Sequence, residues 1–248
     1  MSFVEVERGP FQILAHGAWL ENGLMHGFCN GSVNFKGDCR GAAREAFERA
    51  FGLKQLLLMT QAHTDRVCVV DLGQIGSMAD AEVLVNLEAY DAAVICGVSP
   101  QTEPTAAIGI LTADCLPMIL RCGRLQTLAV IHAGWRGLAS GIIANTVDRF
   151  GSSHGELLEV LLGPCAGNDQ YQVGREVIDR IGESAVSKVM DDRLILDLQA
   201  TAFNQLRCCW RGELEVISAP VCTILNFNFH SYRREGDSAG RNLSFVSF

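Results

Sequence analysis

The hydrophobic residues of this chain fall into two kinds of pattern, short apolar runs and longer segments with helical spacing. Apolar runs rich in β-branched residues are typical of buried strands. Such runs predict strands in segments 56–71, 92–98, 106–122, 128–131, 157–167 and 221–227. Polar turns at 63–65 and 112–114 divide two of these segments into two strands each. Strands are therefore expected along most of the chain.

Segments with helical spacing alternate with the predicted strands. The spacing of apolar residues predicts helices over 43–51, 138–150, 177–189 and 198–209. Gly52 fits a C-cap of the first helix, and Asp197 can cap the last. Segment 78–92 is acidic and mixed, and its pattern predicts neither element. Because strands and helices alternate without a linker or repeat, we expect one α/β domain over residues 1–248.

Segment 125–141 places polar residues between a predicted strand and a predicted helix. His132 and Arg136 lie in this segment among three glycines. A loop at the carboxyl end of a strand is where open α/β sheets commonly bind ligands. The free N–H groups of a following helical turn favour an anion there. A guanidinium in such a loop can bind phosphate through two hydrogen bonds, so Arg136 is a candidate phosphate-binding residue.

Composition and charge narrow the classes of protein. Hydrophobic residues make up 48% and charged residues 19%, as in a globular domain, and the formal net charge of −8 argues against nucleic acid as a partner. The first ten residues lack the pattern of a secretory signal, and no apolar run approaches a membrane span. The ten cysteines form no disulfide framework. We therefore expect a cytoplasmic protein that does not contact membranes.

Three residues with metal-binding side chains each follow an apolar run. His63, Cys115 and His132 are separated by 52 and 17 residues, unlike the short paired spacing of a zinc finger. Two imidazoles and a thiolate would leave a fourth zinc position free, which is the arrangement of catalytic zinc sites. The spacing alone leaves other interpretations open: the histidines could be structural, and Cys115 could be a buried thiol or a nucleophile with His132 as its base.

Several motifs together resemble the YfiH family, also called the multicopper polyphenol oxidase (laccase) domain family, many of whose members are named purine nucleoside phosphorylases. These motifs are QAHTDRV at 61–67, TADCLP at 112–117, HAGWRG at 132–137, GPC at 163–165 and SYRREGDSAGR at 231–241. The resemblance extends from His26 to Arg241, nearly the whole chain. The family's metal positions fall on His63, Cys115 and His132.

The resemblance implies a single-domain, four-layer α/β/β/α sandwich with mixed sheets. It implies a zinc-dependent enzyme that phosphorolyses adenosine, inosine, guanosine and methylthioadenosine and also deaminates adenosine. Its partners would be a nucleoside and phosphate, with Arg136 and Arg233 as substrate-binding residues, and the chain would be a monomer or a weak homo-oligomer. Two departures from the family pattern concern the substrate pocket: Thr64 stands where a glycine is usual, and the loop in 28–34 is shortened.

Three other functions remain open. Copper also accepts imidazole and thiolate ligands, which would fit a laccase-like oxidase, although six scattered histidines provide no multicopper cluster. A metal-free hydrolase acting on cell-wall peptides could use Cys115 and His132. A binding module without catalysis would explain neither the thiol nor the two imidazoles.

Overall fold

The computed structural model describes residues 2–98, 104–151, 155–182, 185–190 and 193–248. Within these residues the strands form two six-stranded sheets and a small third sheet. In spatial order the first sheet contains β1 (Phe3–Arg8), β2 (Phe11–His16), β3 (His26–Cys29), β15 (Asn242–Ser247), β7 (Ala106–Thr112) and β4 (Gln55–Leu58). The second contains β14 (Glu213–Ser218), β10 (Leu157–Leu162), β8 (Leu116–Cys122), β9 (Thr127–Ala133), β6 (Ala92–Cys96) and β5 (Val67–Asp71). The third contains β11 (Gln172–Val173), β13 (Arg193–Leu196) and β12 (Val186–Met190).

Both large sheets are mixed, as expected. Strands β4 and β7 are parallel in the first sheet, and β5–β6 and β10–β14 are parallel in the second. The remaining pairs in the two sheets are antiparallel. The helices are α1 (Gly17–Glu21), α2 (Cys39–Phe51), α3 (Met78–Asn86), α4 (Trp135–Ser140), α5 (Ile142–Asp148), α6 (Arg175–Ile181), α7 (Leu198–Cys209) and α8 (Tyr232–Glu235).

Three apolar clusters define the layers of the fold. Between the two sheets, side chains such as Ile108 of β7 and Val130 of β9 form a common core. On the outer face of the first sheet, Phe47 of α2 packs into a second cluster. On the outer face of the second sheet, α4, α5, α6 and α7 cover a third cluster that includes Ile131 and Leu206. The expected four-layer α/β/β/α sandwich is therefore confirmed.

Strand β9 explains why segment 128–131 is continuously apolar. It lies between β8 and β6 inside the second sheet, and every one of its seven residues is buried. In a strand that is buried on both faces, side chains pointing either way lie in the core, so its sequence is one continuous hydrophobic run. Its last residues, His132 and Ala133, are buried as well, which places His132 inside the strand and not in the following loop.

Three predicted elements differ from the structure. The helix expected over 138–150 is two helices, α4 and α5, because Gly141 between them has φ +95°; α4 already begins at Trp135. The helix expected over 177–189 ends at Ile181, and Val189 belongs to strand β12. Segment 221–227 is a turn with one isolated bridge between Cys222 and Cys165, because Asn226 N–H donates back to the Cys222 carbonyl.

The acidic segment 78–92, for which the pattern predicted nothing, contains helix α3. Ser77 is its N-cap, with a side-chain oxygen that accepts from Asp80 N–H. Two buried residues, Ala81 and Val85, anchor the helix to the core between the sheets. In the part of the chain that the structure describes, every helix is too short or too polar to cross a bilayer.

Candidate metal centre

The two histidines and the cysteine singled out in the sequence lie together at one end of the sandwich. One ligand atom from each of His63, Cys115 and His132 lies within 4.8 Å of the others. The Cys115 Sγ is 3.8 Å from the His63 Nε2. Ligand atoms around a tetrahedral zinc ion lie about 3.3–3.6 Å apart, given its bond lengths. The three side chains are therefore close to the spacing that one metal ion requires.

The three residues reach this place from different parts of the fold. His132 comes from the end of β9, and Cys115 immediately precedes β8, which pairs with β9 so that Leu116 faces Ala133. His63 lies on the loop that leaves β4 of the first sheet and enters β5 of the second. Its φ of +58° is a left-handed conformation that residues other than glycine seldom adopt. The cluster therefore forms where the two sheets meet.

Gly134 of the HAGWRG motif leaves room for the cluster. A Cβ atom at this position would lie 2.9 Å from the Cys115 Sγ and 3.2 Å from the His63 Cδ2. The backbone of Gly134 is extended, with φ −73° and ψ 163°, so the glycine is needed for space and not for conformation. Because Gly134 has no side chain, Cys115 and His63 can approach each other.

Asp91 connects the imidazole of His132 to the backbone of the loop that carries His63. Its carboxylate is fully buried, and its Oδ1 accepts from His132 Nδ1 at 2.7 Å and from the His63 backbone N–H at 3.0 Å. Its Oδ2 accepts from the Thr64 N–H at 2.6 Å, the Thr64 hydroxyl at 2.8 Å and the Ala62 N–H at 3.2 Å. Because a carboxylate oxygen only accepts, the proton lies on Nδ1 of His132, which leaves Nε2 free as a metal ligand.

Cys115, His132 and Asp91 shift one another's pKa values. Burial alone would raise the pKa of Cys115, but the charge and hydrogen bond of His132, with the hydrogen bond of His63, lower it to about 6. Burial would lower the pKa of His132, but Cys115 and Asp91 raise it to about 9. Burial would raise the pKa of Asp91, and hydrogen bonds from His132 and Thr64 lower it to about 2. A thiolate is therefore favoured at Cys115, and the thiolate is the form that binds a metal.

A second buried carboxylate, Asp114, lies next to Cys115 in the chain. It has φ +86°, and its side chain accepts from the Thr223 hydroxyl at 2.6 Å, the Ser231 hydroxyl at 3.0 Å and the Arg233 N–H at 2.6 Å. These bonds attach the C-terminal turn and α8 to the loop that carries Cys115. The sequence motifs TADCLP and SYRREGDSAGR are therefore joined in space through one aspartate.

The two predicted substrate-binding arginines are exposed, and each lies over an aromatic ring. The guanidinium carbon of Arg136 is 4.4 Å from the centroid of Trp135, and that of Arg233 is 5.0 Å from the centroid of Tyr171. Arg233 also donates to the Gln172 carbonyl at 2.9 Å. Burial raises the pKa of Tyr171, as does the charge of Cys115, whereas Arg233 and Arg136 oppose the shift. Tyr171 thus lies within the electrostatic influence of both arginines and of Cys115.

The shortened loop near residues 28–34 lies against the C-terminal segment. Gly31 N–H donates to the Asn228 carbonyl at 2.6 Å, and a Cβ at Gly31 would lie 3.1 Å from that oxygen. Asn34 accepts through its side chain from the Arg241 N–H at 3.1 Å. The loop is therefore held closely by residues 228–241.

Sequence reasoning did not find the residues that hold the site together. Asp91 lies at the end of the acidic segment that had no recognisable pattern, and Tyr171 belongs to no motif considered above. A weak signal existed for Asp114, because it is part of TADCLP, but its partners Thr223 and Ser231 were predicted to have other roles or none. Contacts between residues more than 100 positions apart leave no local pattern in a sequence.

Comparison with known proteins agrees with the resemblance in the motifs. The sequence profile of the family described as multi-copper polyphenol oxidoreductase laccase matches residues 36–248. A protein of Aquifex aeolicus (strain VF5) named purine nucleoside phosphorylase is 31% identical over 190 residues, which cover 76% of this chain and 81% of that protein. Purine nucleoside phosphorylase YfiH of Escherichia coli (strain K12) is 34% identical over 155 residues, covering 60% of this chain and 62% of that protein.

Solved structures share the fold over the full length. The crystal structure of a hypothetical protein YfiH from Bacillus licheniformis aligns with a TM-score of 0.78 at 23% identity, covering 97% of this chain and 99% of that one. The matched part of the chain spans about half, 52%, of the length of the Xylella fastidiosa relatives, which are also named purine nucleoside phosphorylase.

Proposed function

The chain belongs to the family described as multi-copper polyphenol oxidoreductase laccase, and from that premise we propose that it is a zinc-dependent purine nucleoside phosphorylase that also deaminates adenosine. The observation that carries the proposal is the cluster of His63, Cys115 and His132, with ligand atoms within 4.8 Å, beside two exposed arginines. Relatives named purine nucleoside phosphorylase support this class of enzyme.

The donor set of the cluster fits zinc. Two imidazoles and one thiolate are common zinc ligands, and three protein ligands leave one position open to a substrate or water. His132 presents Nε2 to the cluster because Asp91 binds its Nδ1 at 2.7 Å. When bound, zinc would supply a Lewis acid next to the substrate pocket. His63, Cys115 and His132 would hold it there.

The arginine side of the site suits the phosphate of a phosphorolysis reaction. In that reaction a phosphate oxygen forms a bond to ribose C1′ while the bond from C1′ to the purine nitrogen breaks. The purine leaves with a proton, and the second product is ribose 1-phosphate, or 5-methylthioribose 1-phosphate when the nucleoside is methylthioadenosine. Arg136 and Arg233 would neutralise the phosphate and orient it through planar guanidinium groups. The aromatic rings of Trp135 and Tyr171 hold these guanidiniums in place.

The experiment is to incubate the purified protein with adenosine, inosine, guanosine or methylthioadenosine, with and without phosphate, and to separate the products. We expect free base and the sugar 1-phosphate (ribose 1-phosphate, or 5-methylthioribose 1-phosphate from methylthioadenosine) only when phosphate is present, and inosine from adenosine in both conditions. His63→Ala should lose both activities because it removes one ligand. Absence of a sugar 1-phosphate with all four nucleosides would overturn the proposal of phosphorolysis.

A cysteine hydrolase is a second candidate, because one observation favours it. Cys115, His132 and Asp91 are arranged like a catalytic triad, with a thiol nucleophile, an imidazole base and a carboxylate that orients the base. Although burial would raise it, the pKa of Cys115 is lowered to about 6, mainly by the charge of His132 and by hydrogen bonds from His132 and His63. Iodoacetamide labelling separates the two candidates. A metal-bound thiolate is protected until a chelator is added, whereas a free nucleophile reacts at once and activity survives the chelator.

A copper oxidase is the remaining alternative within the family. His and Cys ligands accept copper as well as zinc. Metal analysis of protein purified without added metal distinguishes the two metals. A stoichiometric copper content with oxidation of a polyphenol would contradict the zinc proposal.

A further inference from the structure

We infer that Asp91 is the positioning residue of the metal centre and that the Thr64 hydroxyl strengthens its hold on the loop of His63. This inference rests on the proposed metal site. It assigns no new ligand. It states that the affinity for metal depends on one buried carboxylate that touches no metal itself.

The first support is that one carboxylate bonds to both histidine-bearing segments. Asp91 accepts five hydrogen bonds, four from residues 62–64 and one from His132. Residues 62–64 follow β4 of the first sheet, and His132 ends β9 of the second. Besides the contacts that both rings make with Cys115, Asp91 is therefore the group that ties the backbone of His63 to the side chain of His132.

The second support is that the backbone of Asp91 is itself fixed. Its N–H donates to the Arg66 carbonyl at 3.1 Å, and its carbonyl accepts from His132 N–H at 2.7 Å. These bonds extend the pairing of β5, β6 and β9 by one residue. The carboxylate is therefore carried on a rigid element, which is what an orienting group requires.

The third support concerns the left-handed conformation of His63. With φ +58°, His63 needs an interaction that compensates for an unfavourable backbone. The His63 N–H bond to Asp91 at 3.0 Å supplies one, and the bonds of Ala62 and Thr64 on either side supply others. Without the carboxylate, the three N–H groups would lose their acceptor, and the left-handed conformation of His63 would no longer be stabilised by these bonds.

Thr64 gives the inference a feature that belongs to this chain. It stands where the YfiH pattern usually has glycine, and glycine has no hydroxyl to offer. In this structure the Thr64 Oγ1 donates to Asp91 at 2.8 Å and accepts from the Arg66 N–H at 3.2 Å. The Thr64 side chain therefore adds a bond to the same carboxylate and links it to the start of β5. The departure from the pattern reinforces the site.

The experiment measures the affinity of the full chain for Zn²⁺ by competition with a chromophoric chelator. Asp91→Asn should weaken zinc binding by about 10–100-fold, as is typical for loss of a carboxylate that orients a metal-binding histidine. The amide keeps one acceptor for His132 but presents an NH₂ group to the N–H donors of the loop. Asp71→Asn is the matched control, because Asp71 accepts from the Gly73 N–H in a surface turn away from the cluster.

A second pair of variants keeps the test decisive if Asp91→Asn does not fold. Thr64→Val preserves the shape of the side chain and removes the hydroxyl, so zinc affinity should fall by about fivefold, the equivalent of one hydrogen bond. Thr64→Ser keeps the hydroxyl and should bind zinc as the parent chain does. Circular dichroism of the metal-free variants checks that each is folded before titration.

The outcomes separate this inference from the proposed function. If the parent chain binds one zinc ion and the Asp91 and Thr64 variants bind it within twofold of the parent, Asp91 has a structural role only and the inference is wrong. If the parent chain binds no zinc, the metal site itself fails and the inference fails with it. Loss of affinity in Asp91→Asn and Thr64→Val, but not in Asp71→Asn or Thr64→Ser, supports it.

Discussion

Two pairs of histidines lie in this molecule, and they show how the partners of an imidazole determine its role. His63 and His132, with ring centroids 4.8 Å apart, share a carboxylate and face a thiol. His16 and His26 are both buried, but the ring of His26 bonds only to backbone, to the Leu24 carbonyl at 2.8 Å and the His16 N–H at 2.9 Å. The surroundings of His132 support a charged imidazole, whereas those of His16 and His26 disfavour one.

The pKa values of His132, His26 and His16 follow from their surroundings. Burial lowers the pKa of His26 to about 4, although the Leu24 carbonyl opposes the shift, and burial also lowers the pKa of His16. His132 is just as inaccessible, yet Cys115 and Asp91 raise its pKa to about 9. Burial of a histidine therefore does not indicate a functional site. What distinguishes His132 is the buried carboxylate and the thiol that contact its ring.

The largest expected effect is the difference in zinc affinity between a variant that lacks a histidine of the first pair and one that lacks a histidine of the second. His63→Ala should weaken zinc binding by more than the roughly 100-fold expected for an outer partner, because a direct ligand is lost. His26→Gln should leave zinc affinity unchanged. Isothermal titration with Zn²⁺ measures both. Comparable losses in the two variants would mean that the comparison between the pairs is wrong.

Acid should lower the stability of the folded protein through His26 of the second pair. His26 is neutral in the folded protein with a pKa of about 4, whereas in the unfolded chain it titrates near its ordinary value of 6.5. Its contribution is therefore complete above pH 6.5 and is lost as the pH falls from 6.5 to 4. The loss amounts to about 3 kcal/mol in the free energy of unfolding.

Urea unfolding of the parent chain and of His26→Gln between pH 7 and pH 4 measures this contribution. The difference between the two proteins should decrease as the pH falls, because the variant has no imidazole to protonate. A constant difference across this range would show that His26 does not control acid sensitivity.

A methyl group at Gly134 should disturb the first pair without changing any ligand. The added Cβ would lie 2.9 Å from the Cys115 Sγ, so the thiol and the His63 ring must separate. Gly134→Ala should therefore weaken zinc binding by about tenfold or more, since displacements near 1 Å have large effects at functional sites. Gly41→Ala is the control, because no atom lies within 4 Å of a Cβ there. Normal zinc affinity in Gly134→Ala would show that the cluster tolerates expansion.

The smallest expected effect is that of replacing Arg136, one of the two predicted substrate-binding arginines. Arg136→Lys keeps the charge and loses the planar fork, so the KM for phosphate in phosphorolysis should rise several-fold while adenosine deamination changes little. Arg207→Lys is the matched control, because Arg207 also lies over an aromatic ring, that of Phe203 at 5.7 Å, away from the site. Equal losses in both activities would assign Arg136 to the fold or to the metal loop.

The sequence predicted much of the fold because the central strands β7, β8 and β9 are buried on both faces. Run 128–131 is apolar without interruption and lies in β9, and run 157–162, which only Glu159 interrupts, forms β10. The helix before Gly52 and the helix after Asp197 were predicted from local caps, which the structure confirms. These features are decided by neighbouring residues, which is why local pattern was sufficient.

The remaining features depend on distant partners. The split at Gly141 requires knowledge of a left-handed glycine, and the turn at residues 221–227 is fixed to the rest of the fold by the Thr223 hydroxyl, which donates to Asp114, 109 positions earlier. Asp91 resembled any surface aspartate in an acidic segment, although it is fully buried. The sequence motifs predicted that His63, Cys115 and His132 form one site, but they did not reveal the carboxylate that positions the two histidines.

X-ray absorption at the zinc edge, on the purified full chain loaded with one equivalent of Zn²⁺, tests the central claim most directly. The account predicts one sulfur at about 2.3 Å and two imidazole nitrogens at about 2.0–2.1 Å, with a further light atom in the open position. Cys115→Ser should remove the sulfur and leave the nitrogens. A parent spectrum without sulfur, or one whose sulfur persists in Cys115→Ser, would contradict the assignment of His63, Cys115 and His132 as the metal ligands.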